Sequence, residues 1–133
     1  MKLNINEKTG KTYVKELDKS TSKFLTNKRI GETIKLDTIG LNGYEALIMG
    51  GSDKQGFPMR KSMLGTKRRK ALLKSGVGYK HPKNGQKKRK SVRGNVIEED
   101  IKQVNVKITK TGKTKLEAVF KKEEKKEEKP VEQ

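Results

Sequence analysis

The chain has 133 residues and a formal net charge of +18, from 34 Lys and Arg against 16 Asp and Glu. It contains no cysteine, which excludes disulfide frameworks, thiolate nucleophiles and cysteine-ligated zinc. Only 29% of its residues are hydrophobic. One domain with a small core is expected, the rest being ordered by a partner of opposite charge.

In chain order, Leu3 and Ile5 alternate with polar neighbours, Thr9-Gly10 makes a turn, and Thr12 to Leu17 is a β-prone run, so a hairpin is expected first. A short helix is predicted within Ser20 to Ile30, capped by Ser20, Thr21 or Ser22 and stopped at Gly31. Strands over Thr33 to Leu36 and Tyr44 to Met49 bracket the turn signal Asn42-Gly43, and Gly50-Gly51 is expected to end the second. The segment Lys67 to Lys74 fits a helix or a strand equally.

Further on, Val92 to Ile97 and Val104 to Ile108 show β-branched alternation. Lys107 to Thr109 is expected to pair with Lys115 to Phe120 across Thr111-Gly112 as a closing hairpin. The fold class is therefore mainly β: a small β-barrel-like domain with short helices and basic extended loops. Residues 1–120 form the domain, and the Lys/Glu segment 121–133, which has no apolar face to dock, is expected to be a disordered charged tail. No apolar run approaches the roughly 20 residues of a membrane span, and Met1-Lys2-Leu3-Asn4-Ile5 lacks the apolar stretch of a signal peptide. The chain reads as cytoplasmic, without a membrane partner.

Charge is concentrated. Residues 1–53 carry 9 basic and 7 acidic side chains, and 94–133 nearly balance, whereas 54–93 hold 15 basic residues and no acid. Cations facing phosphates release condensed counterions, so such a window points to a nucleic acid. Within it, Phe57 and Tyr79 are the only aromatics, too few for a platform of stacked single-stranded bases. The pattern suits folded RNA held by its backbone and shape.

Catalytic and cofactor chemistry is not supported. His81 is the only histidine, and it reads as a partly exposed residue or an RNA contact. Gly112-Lys113-Thr114 and Gly10-Lys11-Thr12 mimic the end of a phosphate-binding loop, but Lys107 and Ile5 stand where that motif needs its first glycine. Ser52-Asp53 has no adjacent base, and Asp53 is expected to cap a turn or to pair with Lys54 or Arg60. No cofactor, metal or small-molecule substrate is expected.

The stretch Gly50-Gly51-Ser52-Asp53-Lys54-Gln55-Gly56-Phe57-Pro58-Met59 resembles the signature of the archaeal and eukaryotic small-subunit ribosomal protein family six-e. So does Lys88-Arg89-Lys90-Ser91-Val92-Arg93-Gly94 followed by Val96-Ile97, and so does the opening Met1 to Ile5. Gly76 to Pro82 resembles the family's link between the two motifs, and the anchors fall in order over roughly 1–120. The resemblance implies a β-rich body on ribosomal RNA in the small subunit, beside neighbouring ribosomal proteins, with a scaffolding role and no catalysis. It implies RNA contacts at Lys54, Gln55, Arg60, Lys88, Arg89, Lys90 and Arg93. Charge alone adds Lys61, Lys67, Arg68, Arg69, Lys80 and Lys87. Phe57 and Pro58 are expected to fix the turn and plug the barrel.

Eukaryotic members carry a long basic C-terminal helix ending in modified serines. This chain has no Ser or Thr after Thr114, so that regulation is not carried over and the short form is similar to archaeal members. Two other readings compete: a DNA-coating protein, which the same charge permits, and an enzyme acting on RNA.

Overall fold

The computed structural model describes residues 1–80 and 83–127. His81 and its expected contact lie outside the described residues. The strands are β1 (Lys2–Asn6), β2 (Thr12–Glu16), β3 (Thr33–Lys35), β4 (Glu45–Asp53), β5 (Arg68–Leu73), β6 (Lys88–Arg93) and β7 (Ile101–Lys110). The helix α1 (Leu116–Glu127) follows them, and two 3-10 turns occupy Thr21–Phe24 and Asp37–Ile39. Among the described residues no helix is long and apolar enough to cross a membrane.

Five strands form one open sheet in the order β2-β1-β7-β4-β3. β7 lies at its centre, parallel to β1 and antiparallel to β4. The register explains the core: Leu3 faces Val104, Ile5 faces Val106, and Ile48 faces Val106 from the other side. Alternation puts these side chains on one face, where all are buried. Segments between the strands supply the cover: Leu25, Ile30, Leu36, Ile39, Leu41 and Tyr44 from the stretch between β2 and β4, Met59 and Ile97 from later turns, and Leu116 and Phe120 from α1.

The mainly-β class holds, but the sheet is not closed into a barrel. β2 and β3 pair within it on one side only, so both are edges. The first hairpin forms as expected, with Leu3 opposite Lys15 and Ile5 opposite Tyr13. Ser20 to Ile30 yields only a single 3-10 turn, because its apolar residues Leu25 and Ile30 are held individually in the core rather than along one helical face. β3 and β4 pair across the Asn42-Gly43 turn, where Gly43 takes a left-handed φ of 80°.

Gly50-Gly51 does not end β4. The strand runs through both to Asp53, with irregular register against β7 at Ile48/Gly50 and Ser52/Asp53. Gly51 is required there because a Cβ would stand 2.3 Å from the Gln103 carbonyl oxygen. The expected closing hairpin is also replaced. Leu116, Val119 and Phe120 recur at helical spacing, and α1 lays Leu116 and Phe120 into the core. Phe120 stacks on Tyr13 of β2 at 4.8 Å between ring centres, and Lys15 pairs with Glu123 at 2.6 Å. The helix continues from Lys121 to Glu127, so the first part of the segment expected as a disordered tail is helical; residues 128–133 lie outside those described.

Lys67 to Lys74 resolves as a strand. β5 and β6 form a separate two-stranded antiparallel ribbon, with Arg69 opposite Val92 and Leu73 opposite Lys88. Its own small cluster joins Leu73, Tyr79 and Val92, with Met63 and Ala71 packed against it.

Candidate nucleic-acid interface

The two motifs of the sequence meet in space. β4 ends at Asp53 and turns through Lys54 to Phe57, returning Pro58 and Met59 alongside the end of β6. The Arg93 amide donates to the Pro58 carbonyl at 2.8 Å, and the Arg60 amide donates to the Arg93 carbonyl at 3.0 Å. Beyond Arg93, the chain is stitched on two sides. The Asn95 and Val96 amides bond the Met63 and Gly65 carbonyls, while the Ile30 and Asn27 amides bond the Asn95 and Ile97 carbonyls. Gly94 sits so close to Gly65 that a Cβ would lie 1.9 Å from its carbonyl oxygen. This stitching fixes the ribbon to the body.

Asp53 organises the junction. Its carboxylate, 2% exposed as a residue, accepts from the Gln55 and Phe57 amides at 3.1 and 2.9 Å. These contacts cap the turn, as the sequence suggested. Its ion-pair partners differ from the expected Lys54 and Arg60: they are Arg68, at 2.8 Å, and Arg93, at 3.6 Å. Burial by itself raises the carboxyl's pKa. The Arg68 hydrogen bond, the Phe57 amide, the Arg68 charge and the Gln55 amide outweigh that effect and hold it below the ordinary value.

Arg68 also lies over the Phe57 ring, 4.3 Å from its centre. Phe57 and Pro58 thus fix the turn, and with no closed barrel there is none for them to plug. Arg93 is buried among carboxylates, pairing with Glu98 and Asp100 as well as Asp53, and it donates to the Thr66 carbonyl at 2.6 Å. Its guanidinium faces the protein, so it braces the body.

The remaining expected contacts sort by location. Lys54 and Gln55 are exposed on the turn, Lys54 at 3.5 Å from Asp100. Arg60 is half-buried and engaged with Ser62 and with the Val77 carbonyl, so it props the loop before Tyr79. Lys61 and Lys67 are exposed on the segment leading to the ribbon, and Lys80 is exposed beyond it. On the ribbon, Arg69, Lys88 and Lys90 share the face that carries Ala71, Leu73 and Val92, whereas Arg68 and Arg89 belong to the opposite face. Lys87 is exposed just before β6.

Sequence reasoning passed over Lys70, Lys74 and Lys83, all exposed on or beside the ribbon. Lys70 lies on the same face as Arg89, two pair positions along. The acid-free window already contained all three, so it was the signal that could have included them. Within the whole window, only Lys54, Arg68 and Arg93 meet a carboxylate among the described residues. What remains is a cation-covered two-stranded ribbon tied to a sheet in which acids offset half of the lysines.

The sequence matches the family model of ribosomal protein S6e over residues 1–121. Curated relatives include the small ribosomal subunit protein eS6 of Methanosphaera stadtmanae, 43% identical over 117 residues that make up 88% of this chain and 90% of the relative. The protein of the same name from Archaeoglobus fulgidus is 44% identical over 118 residues, 88% of this chain and 92% of its own. That of Methanothermobacter thermautotrophicus is 42% identical over 110 residues, 83% and 87% of the two chains. The extent of the match, across body, ribbon and the start of α1, makes this chain a member of the ribosomal protein S6e family.

Proposed function

We propose that this chain is a non-catalytic structural constituent of the small ribosomal subunit in the cytoplasm. In this reading it grips ribosomal RNA with the β5–β6 ribbon and its flanking loops, and neighbouring ribosomal proteins lie against the body. The observation that carries it is the acid-free window of 15 cations, seven of them on the ribbon strands and the others on the segments around it, with only three meeting a carboxylate among the described residues. Cations left uncompensated in the free protein are satisfied by phosphates, and each contact releases counterions. The contacts proposed are Lys54, Gln55, Lys61, Lys67, Arg69, Lys80, Lys87, Lys88, Arg89 and Lys90, with Lys70, Lys74 and Lys83 added. Arg60, Arg68 and Arg93 hold the ribbon in place for them.

Sedimentation of a tagged copy in a lysate of its own source, at moderate and then high salt, tests this reading. Co-migration with the small subunit through high salt is expected of an integral component. Migration apart from ribosomes, or loss at moderate salt, would overturn it.

A further inference from the structure

At one end of the five-stranded sheet β1 and β7 begin while β2 and β4 stop. There a cleft of about 540 Å³ opens between the strand ends and the 3-10 turn Thr21–Phe24. Leu17 and Ile101, both buried, line it from within. Lys19, Lys23, Lys54 and Lys102 line it too, and all four are exposed. Of the two acids on its wall, Asp100 is committed to Lys54 at 3.5 Å and Arg93 at 3.6 Å, which leaves Glu99. Lys19, Lys23 and Lys102 meet no carboxylate among the described residues. Other lysines of the body are unpaired as well, Lys35 and Lys110 among them; the difference here is that three converge on one concavity.

The cleft is continuous with the basic ribbon. Lys54 follows Asp53 on the turn at the ribbon's base and also lines the cleft. The segment carrying Lys19 and Lys23 is docked on the chain that leaves the ribbon. Asn27 donates to the Ile97 carbonyl at 2.9 Å, Ile97 donates to the Lys28 carbonyl at 2.8 Å, and Ile30 donates to the Asn95 carbonyl at 3.0 Å. Between Asp18 and Glu32 this segment holds Lys19, Lys23, Lys28 and Arg29 and no acid. The near-balance of charge over residues 1–53 hides it, because the acids lie on either side.

Charge and composition distinguish the kind of partner. Lysine is depleted at protein interfaces, whereas RNA and DNA phosphates are met by lysines together with Ser and Thr hydroxyls. Ser22 and Thr26 stand among the lysines of the cleft wall. We infer that this cleft holds the phosphate backbone of ribosomal RNA through Lys19, Lys23 and Lys102. It is a second contact outside the acid-free window, and it extends the RNA path from the ribbon across Lys54 onto the body. This inference rests on the small-subunit reading.

The test uses the full chain carrying Lys19→Gln, Lys23→Gln and Lys102→Gln together. Its control carries Lys8→Gln, Lys35→Gln and Lys110→Gln, three exposed lysines at the far end of the sheet. Both variants should melt with the unaltered protein. With small-subunit ribosomal RNA, the slope of log affinity against log salt should become shallower by about 2 to 3 in the cleft variant and by less than about 1 in the control. In parallel, Glu99→Cys places the chain's only cysteine on the cleft wall. A benzophenone attached there should, in reconstituted small subunits, crosslink to RNA. Equal slopes in the two variants overturn the inference, as does a crosslink to protein or to nothing; the crosslink decides if the cleft variant melts early. Absence of even the unaltered chain from small subunits would instead overturn the ribosomal reading on which the inference stands.

Discussion

The Asp53 carboxylate accepts two hydrogen bonds from the Arg68 guanidinium, at 2.8 and 3.1 Å, through the same oxygen that faces Arg93. Arg68 and Arg93 stand directly opposite each other in the ribbon, a placement that repels without an anion between them. One buried acid at the end of β4 therefore joins the ribbon to the sheet. In a protein this basic, the arginines next to Asp53 serve architecture, and the more exposed cations along the ribbon are left for a partner.

Replacing Asp53 by Asn is expected to cost roughly 3 kcal/mol, the low end of the range for removing one member of a buried pair, because Glu98 and Asp100 still accompany Arg93. Chemical denaturation of the purified variant measures this. A loss under about 1 kcal/mol, the scale of an exposed ion pair, would contradict the junction described here.

The same group sets a pH dependence. Its pKa in the folded protein is depressed, so its contribution is fully present above the unfolded carboxyl's value of about 3.9 and is lost as pH falls through the lower folded value. The stability gap between the unaltered protein and Asp53→Asn should be constant from neutral pH to about 5 and close only in stronger acid. A gap that closes between pH 7 and 5 would assign the effect to another group.

Neighbouring glycines should respond in opposite ways. Gly51→Ala drives a Cβ against the Gln103 carbonyl and should destabilise by about 1–3 kcal/mol. Gly50→Ala meets nothing and should stabilise by roughly 0.5–1 kcal/mol, the usual gain from replacing a strand glycine. Thermal melting of the two variants side by side distinguishes them.

Phe120→Ala removes the stack on Tyr13 and the side chain that seats α1. A loss of about 3 kcal/mol is expected, at the low end for an aromatic truncated to Ala, since Phe120 lies at the edge of the core. The helical signal in circular dichroism should fall with it if docking holds α1 in place.

How much of this was legible beforehand depended on whether the cause was local. The first hairpin could be read because Leu3 and Ile5 alternate and Thr9-Gly10 turns the chain. The β4 extension could not, because Gly50-Gly51 is a breaker by propensity and the need for Gly51 lies in a carbonyl on β7. Leu116, Val119 and Phe120 did carry the spacing of a helix; the Thr111-Gly112 turn signal before them favoured a strand. The concentration of charge was fully visible in the sequence. That Arg93 faces inward was not, since its partner Asp53 stands far away in the chain and the two meet only when β6 docks beside Pro58.

The central claim is that the ribbon's cations meet phosphates, and the salt dependence of affinity for small-subunit ribosomal RNA tests it most directly. With about 8 phosphate contacts, log affinity should fall against log salt with a slope of roughly −6 to −7. Replacing Lys88, Arg89 and Lys90 by Glu should make that slope shallower by about 3, with the melting temperature nearly unchanged. A slope near zero, or one that the triple replacement leaves untouched, would contradict the account.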